Sequence, residues 1–294
     1  MSCKVPNPGT FLYNEDMLAD YHVHSAFSDD SEYDMEEVVI DAIDKGIDEL
    51  CFTDHVDYGI KLDHGEPGTT ARKNPDGTPL RNVDYPSYFA RIAYLQDKYK
   101  DQITIRKGLE FGLQMCQLSR YQKLYDSYPM DFVINSNHQV NDIEIFLPEF
   151  FAGKSQKEYN RVYYQEILDV VKVYKDYSVL GHLDAFNRYD PKGNCPLEDF
   201  VDIVYEIFKI IIADGKGIEL NTSNVRYGVK DLTPSRDILR IYHELGGQII
   251  TIGSDSHARE HLGFNIEAGR EELKKIGFRQ FCTFENMQPI FHEL

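Results

Sequence analysis

Residues 18–24 run Leu18-Ala19-Asp20-Tyr21-His22-Val23-His24. The apolar residues predict a short strand over Leu18–Val23, with two histidines at its end. Residues two apart in a strand point to the same face, so His22 and His24 can grip one cation together. The next stretch, Asp34–Lys45, puts Met35, Val38, Val39 and Ala42 on one helical face and stops at Gly46, a natural C-cap. A second strand follows over Glu49–Thr53 and closes on Thr53-Asp54-His55. This strand–helix–strand unit, with metal-ligand side chains where its strands end, is the unit the rest of the chain repeats.

Further strands are predicted at Ile103–Glu110, Phe132–Asn135, Ser178–Gly181, Gly217–Leu220 and Gln248–Gly253, with a weaker eighth at Phe278–Thr283. Helical periodicity marks Pro86–Tyr99, Lys157–Tyr174, Leu197–Ala213 and Pro234–Leu245. Such alternation implies a parallel sheet with right-handed crossovers. So many units in one chain favour a closed α/β barrel over an open sheet, and no Gly-x-Gly-x-x-Gly or P-loop pattern marks a nucleotide-binding open sheet. No linker divides the chain, so a single domain over 1–294 is expected. Residues 57–84, rich in Gly, Pro, Asp and Asn, lack any apolar period and read as a long loop excursion or lid.

The chain has 294 residues, with 49 acidic against 31 basic side chains and a net charge of −18. A broad negative field repels phosphate polymers and anionic bilayers, so neither a nucleic-acid nor a membrane partner is expected. Cations gathered in one pocket can still reverse that field for a small phosphorylated substrate. No apolar run approaches the roughly 18–20 residues of a membrane helix, and the start, Met-Ser-Cys-Lys-Val-Pro-Asn-Pro, lacks a signal-peptide core. The five cysteines, Cys3, Cys51, Cys116, Cys195 and Cys282, are scattered and form no Cys-x-x-Cys pair. That pattern indicates neither a disulfide framework nor a thiolate zinc site, and a reducing, cytoplasmic setting is expected.

Glu110 ends the third strand, His138 follows the fourth in Asn135-Ser-Asn-His138, His182 follows the fifth, and Asp255-Ser-His257 follows the seventh. One histidine at a strand end is ordinary loop chemistry. Six strand ends all delivering His, Glu or Asp to one rim are not, and in (β/α) barrels the C-terminal rim carries the active site. His64, His243, His261 and His292 fall outside the pattern and are expected at the surface or in packing. The candidate ligands exceed what one tetrahedral zinc needs, which points to two or three metals, with Glu110 able to bridge. The mixed imidazole and carboxylate set suits zinc, manganese or iron better than magnesium alone. Clustered metals suit phosphoryl chemistry.

Taken in order over residues 20–257, Asp-x-His-x-His, Thr-Asp-His, Gly-x-Glu, Asn-His, Gly-His-Leu-Asp and Ser-Asp-Ser-His resemble the PHP (polymerase and histidinol phosphatase) family. The resemblance implies a distorted seven-stranded (β/α)7 TIM-like barrel with a trinuclear metal site at the C-terminal ends of the strands. It assigns His22, His24, Glu110 and Asp255 to the first metal, and Glu110, His138 and His182 to the second. His55 and His257 would hold the third, together with an acidic residue in His24-Ser-Ala-Phe-Ser-Asp29-Asp30. Asp29 is the expected ligand there and Asp30 its immediate alternative.

A free-standing chain of this length is similar to the phosphatase branch of the family, which acts on L-histidinol phosphate in histidine biosynthesis. The resemblance thus implies hydrolysis to L-histidinol and inorganic phosphate. Arg188 and Arg226 lie a few residues beyond the fifth and sixth strands. Their planar forks suit phosphate oxygens, and Asp29 and His257 are the expected proton-transfer residues. Asp57, Asp63 and Glu66 are conceivable contacts for a substrate ammonium, with solvated surface the more ordinary role. Two other readings stand beside this one: a phosphoesterase for another small monoester or a diester, and a non-catalytic metal-binding protein.

Overall fold

The computed structural model describes residues 17–294. Seven parallel strands follow one another around a barrel in chain order: β1 (Ala19–Val23), β2 (Glu49–Phe52), β3 (Thr104–Gly112), β4 (Phe132–Ser136), β5 (Val179–Leu180), β6 (Gly217–Asn221) and β7 (Ile250–Gly253). The strands are apolar and buried along most of their length, as a sheet covered by helices requires. Beyond β7, Ser256 pairs with Val23. The His24 amide donates to the Ser256 carbonyl at 2.8 Å and the Ser256 amide to the His22 carbonyl at 3.2 Å. This seam nearly closes the barrel.

The helices of two turns or more are α1 (Met35–Asp44), α2 (Tyr85–Lys98), α3 (Leu118–Tyr125), α4 (Gln156–Val173), α5 (Val201–Ala213), α6 (Arg236–Glu244) and α7 (Ile266–Ile276). Asp34 caps α1 by accepting the Glu36 and Glu37 amides at 2.8 and 3.2 Å, and Ser155 with Glu158 forms a capping box on α4. Helix periodicity in the sequence anticipates α1, α2, α4, α5 and α6 within a few residues. It passes over α3, which is only two turns long, and α7, where a glycine interrupts a charged run. Gly269 is there for contact: a Cβ at that position would stand 3.2 Å from Leu220 and Thr222.

The expected eighth strand exists but lies outside the barrel. β8 (Gln280–Glu285) and β9 (Gln288–Glu293) form an antiparallel hairpin. Its turn is fixed at the N-terminal ends of the barrel strands, where Asn286 and Met287 donate to Asp131 and Glu285 pairs with Arg106. The Tyr21 hydroxyl bonds both Glu49 and Phe284, its ring meets Phe132, and Phe132 in turn meets Phe284. The hairpin therefore covers the mouth opposite the histidine-bearing rim.

Residues 57–84 hold no helix, only short bridges such as Leu62 with Arg81 and Lys73 with Pro79. The segment is nonetheless packed, and it turns Asp57, Lys61 and Arg72 toward the rim.

Candidate metal centre

β1 delivers His22 and His24 to the interior with both rings fully buried. Gly253 makes room for them, since a Cβ there would fall 2.3 Å from His22 Cβ and 2.5 Å from Glu219. His55 starts a two-residue extension, His55–Val56, that pairs with β3 so that His55 sits opposite Glu110. Glu110 lies inside β3 rather than at its end, because the strand runs on to Gly112. His138 and His182 stand two residues beyond β4 and β5. Asp255 takes a left-handed backbone, φ 56°, in the turn after β7. Such a conformation is costly for a non-glycine residue and recurs at functional sites.

These side chains converge on Glu110. Its Oε2 lies 2.8 Å from His55 Nδ1, 3.4 Å from His22 Nε2 and 3.6 Å from His24 Nε2. Its Oε1 lies 2.8 Å from His182 Nε2 and 3.1 Å from His138 Nε2. Asp255 Oδ1 stands 3.7 and 3.6 Å from His22 and His24. His22 Nε2, His24 Nε2, His55 Nδ1 and Glu110 Oε2 are buried without a hydrogen-bond partner. Buried polar atoms are rarely left so, and lone-pair donors aimed at a common point at these separations fit divalent metal ions.

The electrostatics agree. Burial works against charge on His22, but the carboxylates of Glu219, Glu110 and Asp255 outweigh it and hold the imidazole well above its usual range. A cluster that attracts protons this strongly attracts other cations too. His24 moves the other way, pushed well down by burial and by the imidazoles of His257 and His55.

The third group departs from the expectation. His55 Nε2 and His257 Nε2 lie 3.4 Å apart, and the carboxylate between them is Asp30, with Oδ2 at 3.4 and 3.3 Å. Asp29 is turned away onto Lys61. A histidine-bearing strand end followed by a turn fixes only that one of two adjacent acids faces inward. The turn geometry, invisible in the sequence, selects the second.

The arginines also divide. Arg188 lines the cavity with its guanidinium buried, bonding Ser223 Oγ at 2.6 Å and Asp255 Oδ2 at 3.3 Å, and its Nε has no partner. Arg226 instead donates to the backbone carbonyls of Ser254 at 2.9 Å and Asp255 at 2.7 Å, clamping the left-handed turn that aims Asp255.

Of the three suggested ammonium contacts, Asp57 is buried and its Oδ1 lies 2.8 Å from His138 Nδ1, while Asp63 and Glu66 pair with Arg120 elsewhere. Outside the site, His243 bonds the Gly277 carbonyl and His292 bonds Thr283. Lys61 and Glu219 escaped sequence reasoning. Glu219 Oε1 holds His22 Nδ1 at 2.6 Å and its Oε2 accepts the His182 amide at 2.8 Å. Its signal was a carboxylate in the middle of an otherwise apolar strand, a position charges avoid unless paired. Asp57 had one as well: it continues the alternation from His55, two residues earlier.

A parallel barrel whose C-terminal rim gathers histidines around one buried glutamate defines a class of metal-dependent phosphoesterase. The model of the PHP domain matches residues 20–223, and the chain belongs to the PHP family. Its relatives include the histidinol-phosphatase of Lactococcus lactis subsp. lactis, 35% identical over 272 residues, which span 92% of this chain and 95% of that protein. A probable histidinol-phosphatase of Clostridium acetobutylicum is 27% identical over 94% of this chain and 97% of its own length. The crystal structure of the Lactococcus lactis histidinol phosphate phosphatase, complexed with zinc, L-histidinol and phosphate, superposes with a TM-score of 0.79 at 33% identity. It covers 93% of this chain and 98% of that one.

Proposed function

We propose that this chain hydrolyses L-histidinol phosphate to L-histidinol and inorganic phosphate, a step of histidine biosynthesis. The observation that carries the reading is a cavity in which His55, His138, His182, Asp255 and His257 meet the buried guanidinium of Arg188, with the partnerless atoms of His22, His24 and Glu110 close against those ligands. Near full-length similarity to a histidinol-phosphatase supports the choice of substrate.

We assign three divalent ions, zinc, manganese or iron: the first to His22, His24, Glu110 and Asp255, the second to Glu110, His138 and His182, the third to His55, His257 and Asp30. When bound, such ions supply Lewis acidity to phosphoryl oxygens and lower the pKa of a water. The protein does the positioning. Arg188 offers its free Nε–H to a phosphate oxygen while Ser223 and Asp255 hold its other nitrogens. A charged fork of this kind favours the dianionic monoester over a diester. Arg226 keeps Asp255 in place, a role behind the rim rather than on the phosphate. Asp29 lines the cavity and is assigned to proton transfer at the leaving oxygen, with the Lys61 ammonium beside it adding positive charge there; His257, expected to share that task, has Nε2 facing His55 and Asp30 and Nδ1 on the Asp255 carbonyl, and is assigned to the third ion alone.

Among the described residues no helix is long and apolar enough to cross a membrane. Cys51, Cys116, Cys195 and Cys282 are unpaired thiols, which favours a cytoplasmic site of action.

The test is phosphate release from L-histidinol phosphate, from other small monoesters and from bis-(p-nitrophenyl) phosphate, after reconstitution with zinc, manganese or iron. Preferential turnover of L-histidinol phosphate is expected. Faster cleavage of the diester, or no turnover with any metal, overturns the reading.

A further inference from the structure

Asp30 faces His55 and His257, yet no other side chain holds it there. Its carboxylate is half exposed, and among the described residues it meets only those two rings. An aspartate side chain without further contacts samples several rotamers, so its aim must come from the backbone beneath it. That backbone is the turn over residues 25–33, between β1 and α1, and three buried serines fix it. Ser25 and Ser28 both bond Asp54, which is fully buried. Asp54 accepts the Ser25 amide at 2.8 Å, the Ser25 hydroxyl at 3.0 Å and the Ser28 hydroxyl at 2.8 Å. A serine hydroxyl has one proton and two lone pairs. With its proton on the carboxylate, Ser28 Oγ can only accept from its other neighbours, the His55 amide at 3.1 Å and His24 Nδ1 at 3.3 Å. His24 is therefore the Nδ1–H tautomer, and its Nε2, which has no partner, presents a lone pair toward Glu110 and Asp255. Ser31 closes the other end of the turn. Its hydroxyl donates to the His257 carbonyl at 3.0 Å and accepts the Tyr33 amide at 3.3 Å.

We propose that Ser28 and Ser31, with Asp54 beneath Ser28, are positioning residues that preassemble the third cation pocket: they register the turn carrying Asp30 against the backbones of His55 and His257. The inference rests on the three-ion assignment above. The pocket draws its ligands from three separate segments of the chain, and side chains alone would leave those segments free to drift apart. Two hydroxyls flank Asp29-Asp30, and each bonds the main chain of one of the histidines that Asp30 faces. The three segments are thereby held in register with the cation absent, and a preorganised site loses less freedom when it binds. The aspartate of Thr53-Asp54-His55 acquires its task in the same way: it is the floor on which the turn is laid.

The experiment titrates zinc into stripped wild type, Ser31→Ala, Ser28→Ala and Asp30→Asn against a competing chelator, with bound equivalents counted by elemental analysis. Wild type is expected to take three equivalents and Asp30→Asn two. Ser31→Ala should need about 10-fold more free zinc for the equivalent that Asp30→Asn loses, the low end of the range for a lost outer partner of a ligand. Its other two equivalents should bind as in wild type. Ser28→Ala should weaken the same equivalent at least as much. Phosphate release should follow: kcat of Ser31→Ala falls at limiting zinc and recovers at saturating zinc, with KM unchanged. A Ser31→Ala protein that holds this equivalent as wild type does overturns the inference. So does one that weakens all three alike, as a loosened barrel would, or one whose lost kcat zinc does not restore. Wild type that takes fewer than three equivalents removes the three-ion assignment and the inference with it; with three bound, only the serines are judged.

Discussion

Asp57 Oδ1 lies 2.8 Å from His138 Nδ1, and the opposite nitrogen of that ring faces Glu110 at 3.1 Å. A carboxylate on one ring nitrogen fixes the tautomer and directs the other lone pair. Lys61, 3.0 Å from Asp57 Oδ2, holds the carboxylate in turn. Asp57→Asn should therefore weaken metal retention or activity by about 10–100-fold while the barrel stays folded. Elemental analysis after dialysis against a weak chelator, with circular dichroism, checks this. Wild-type metal content and turnover would show that Asp57 does not orient His138.

Glu110→Gln keeps the volume of the central side chain and removes the charge that five imidazoles surround. Near-complete loss of phosphatase activity is expected, with at least one metal equivalent gone by elemental analysis. A variant with full turnover and full loading would remove Glu110 as a bridge.

The neighbouring acids should separate cleanly. Asp30→Asn is expected to lose the ion held with His55 and His257. Asp29→Asn should keep every ion and lower kcat instead, because its carboxylate faces Lys61. Metal counts that fall for Asp29→Asn and not for Asp30→Asn would reverse the assignment.

Arg188→Ala should lower kcat/KM on a monoester by at least ~10-fold through loss of a charged hydrogen bond, and by less on a diester. Arg226→Ala should lose metal as well as activity, since it frees the turn that carries Asp255. Intact metal content in Arg226→Ala alongside reduced monoester hydrolysis would move that guanidinium from the turn to the phosphate.

Metal loading should release protons. Burial opposes charge on His138, yet Glu110 and Asp57 hold it up at about 9 in the metal-free protein. At pH 7.5 that ring is protonated, and a ligand must be neutral, so each loading event there expels a proton and affinity falls as pH drops below about 9. Calorimetric titration of zinc into stripped protein, in two buffers of different ionisation enthalpy, measures the release. Buffer-independent heats would contradict it.

Much of this candidate centre is legible in the chain because its proposed ligands sit at strand ends, where periodicity and residue type coincide: His22 with His24, and Asp255 with His257. What escaped is what tertiary contact decides. Asp30 rather than Asp29 faces inward because a turn rotates it so. Lys61 and Arg72 reach the cavity from a segment with no periodic signal, and Arg226 faces carbonyl oxygens that no motif encodes. The eighth strand is legible as an element, but its place in a hairpin outside the barrel is not, because strand propensity carries no information on which edge a strand joins.

The seam between Val23 and Ser256 has a mechanical consequence. It is built from the backbones of His22 and His24 on one side and of the residues around Asp255 on the other. Closing the cylinder and assembling the proposed first cation pocket would thus be one event, with occupancy acting as a clasp on the architecture. Emptying the pocket should let the cylinder breathe there first: the amide hydrogens of His24 and Ser256 should exchange with deuterated solvent sooner in stripped protein, while those inside β3 and β4 stay protected. Scarcity of metal would then be felt as loosening of the wall long before the rest of the fold gives way.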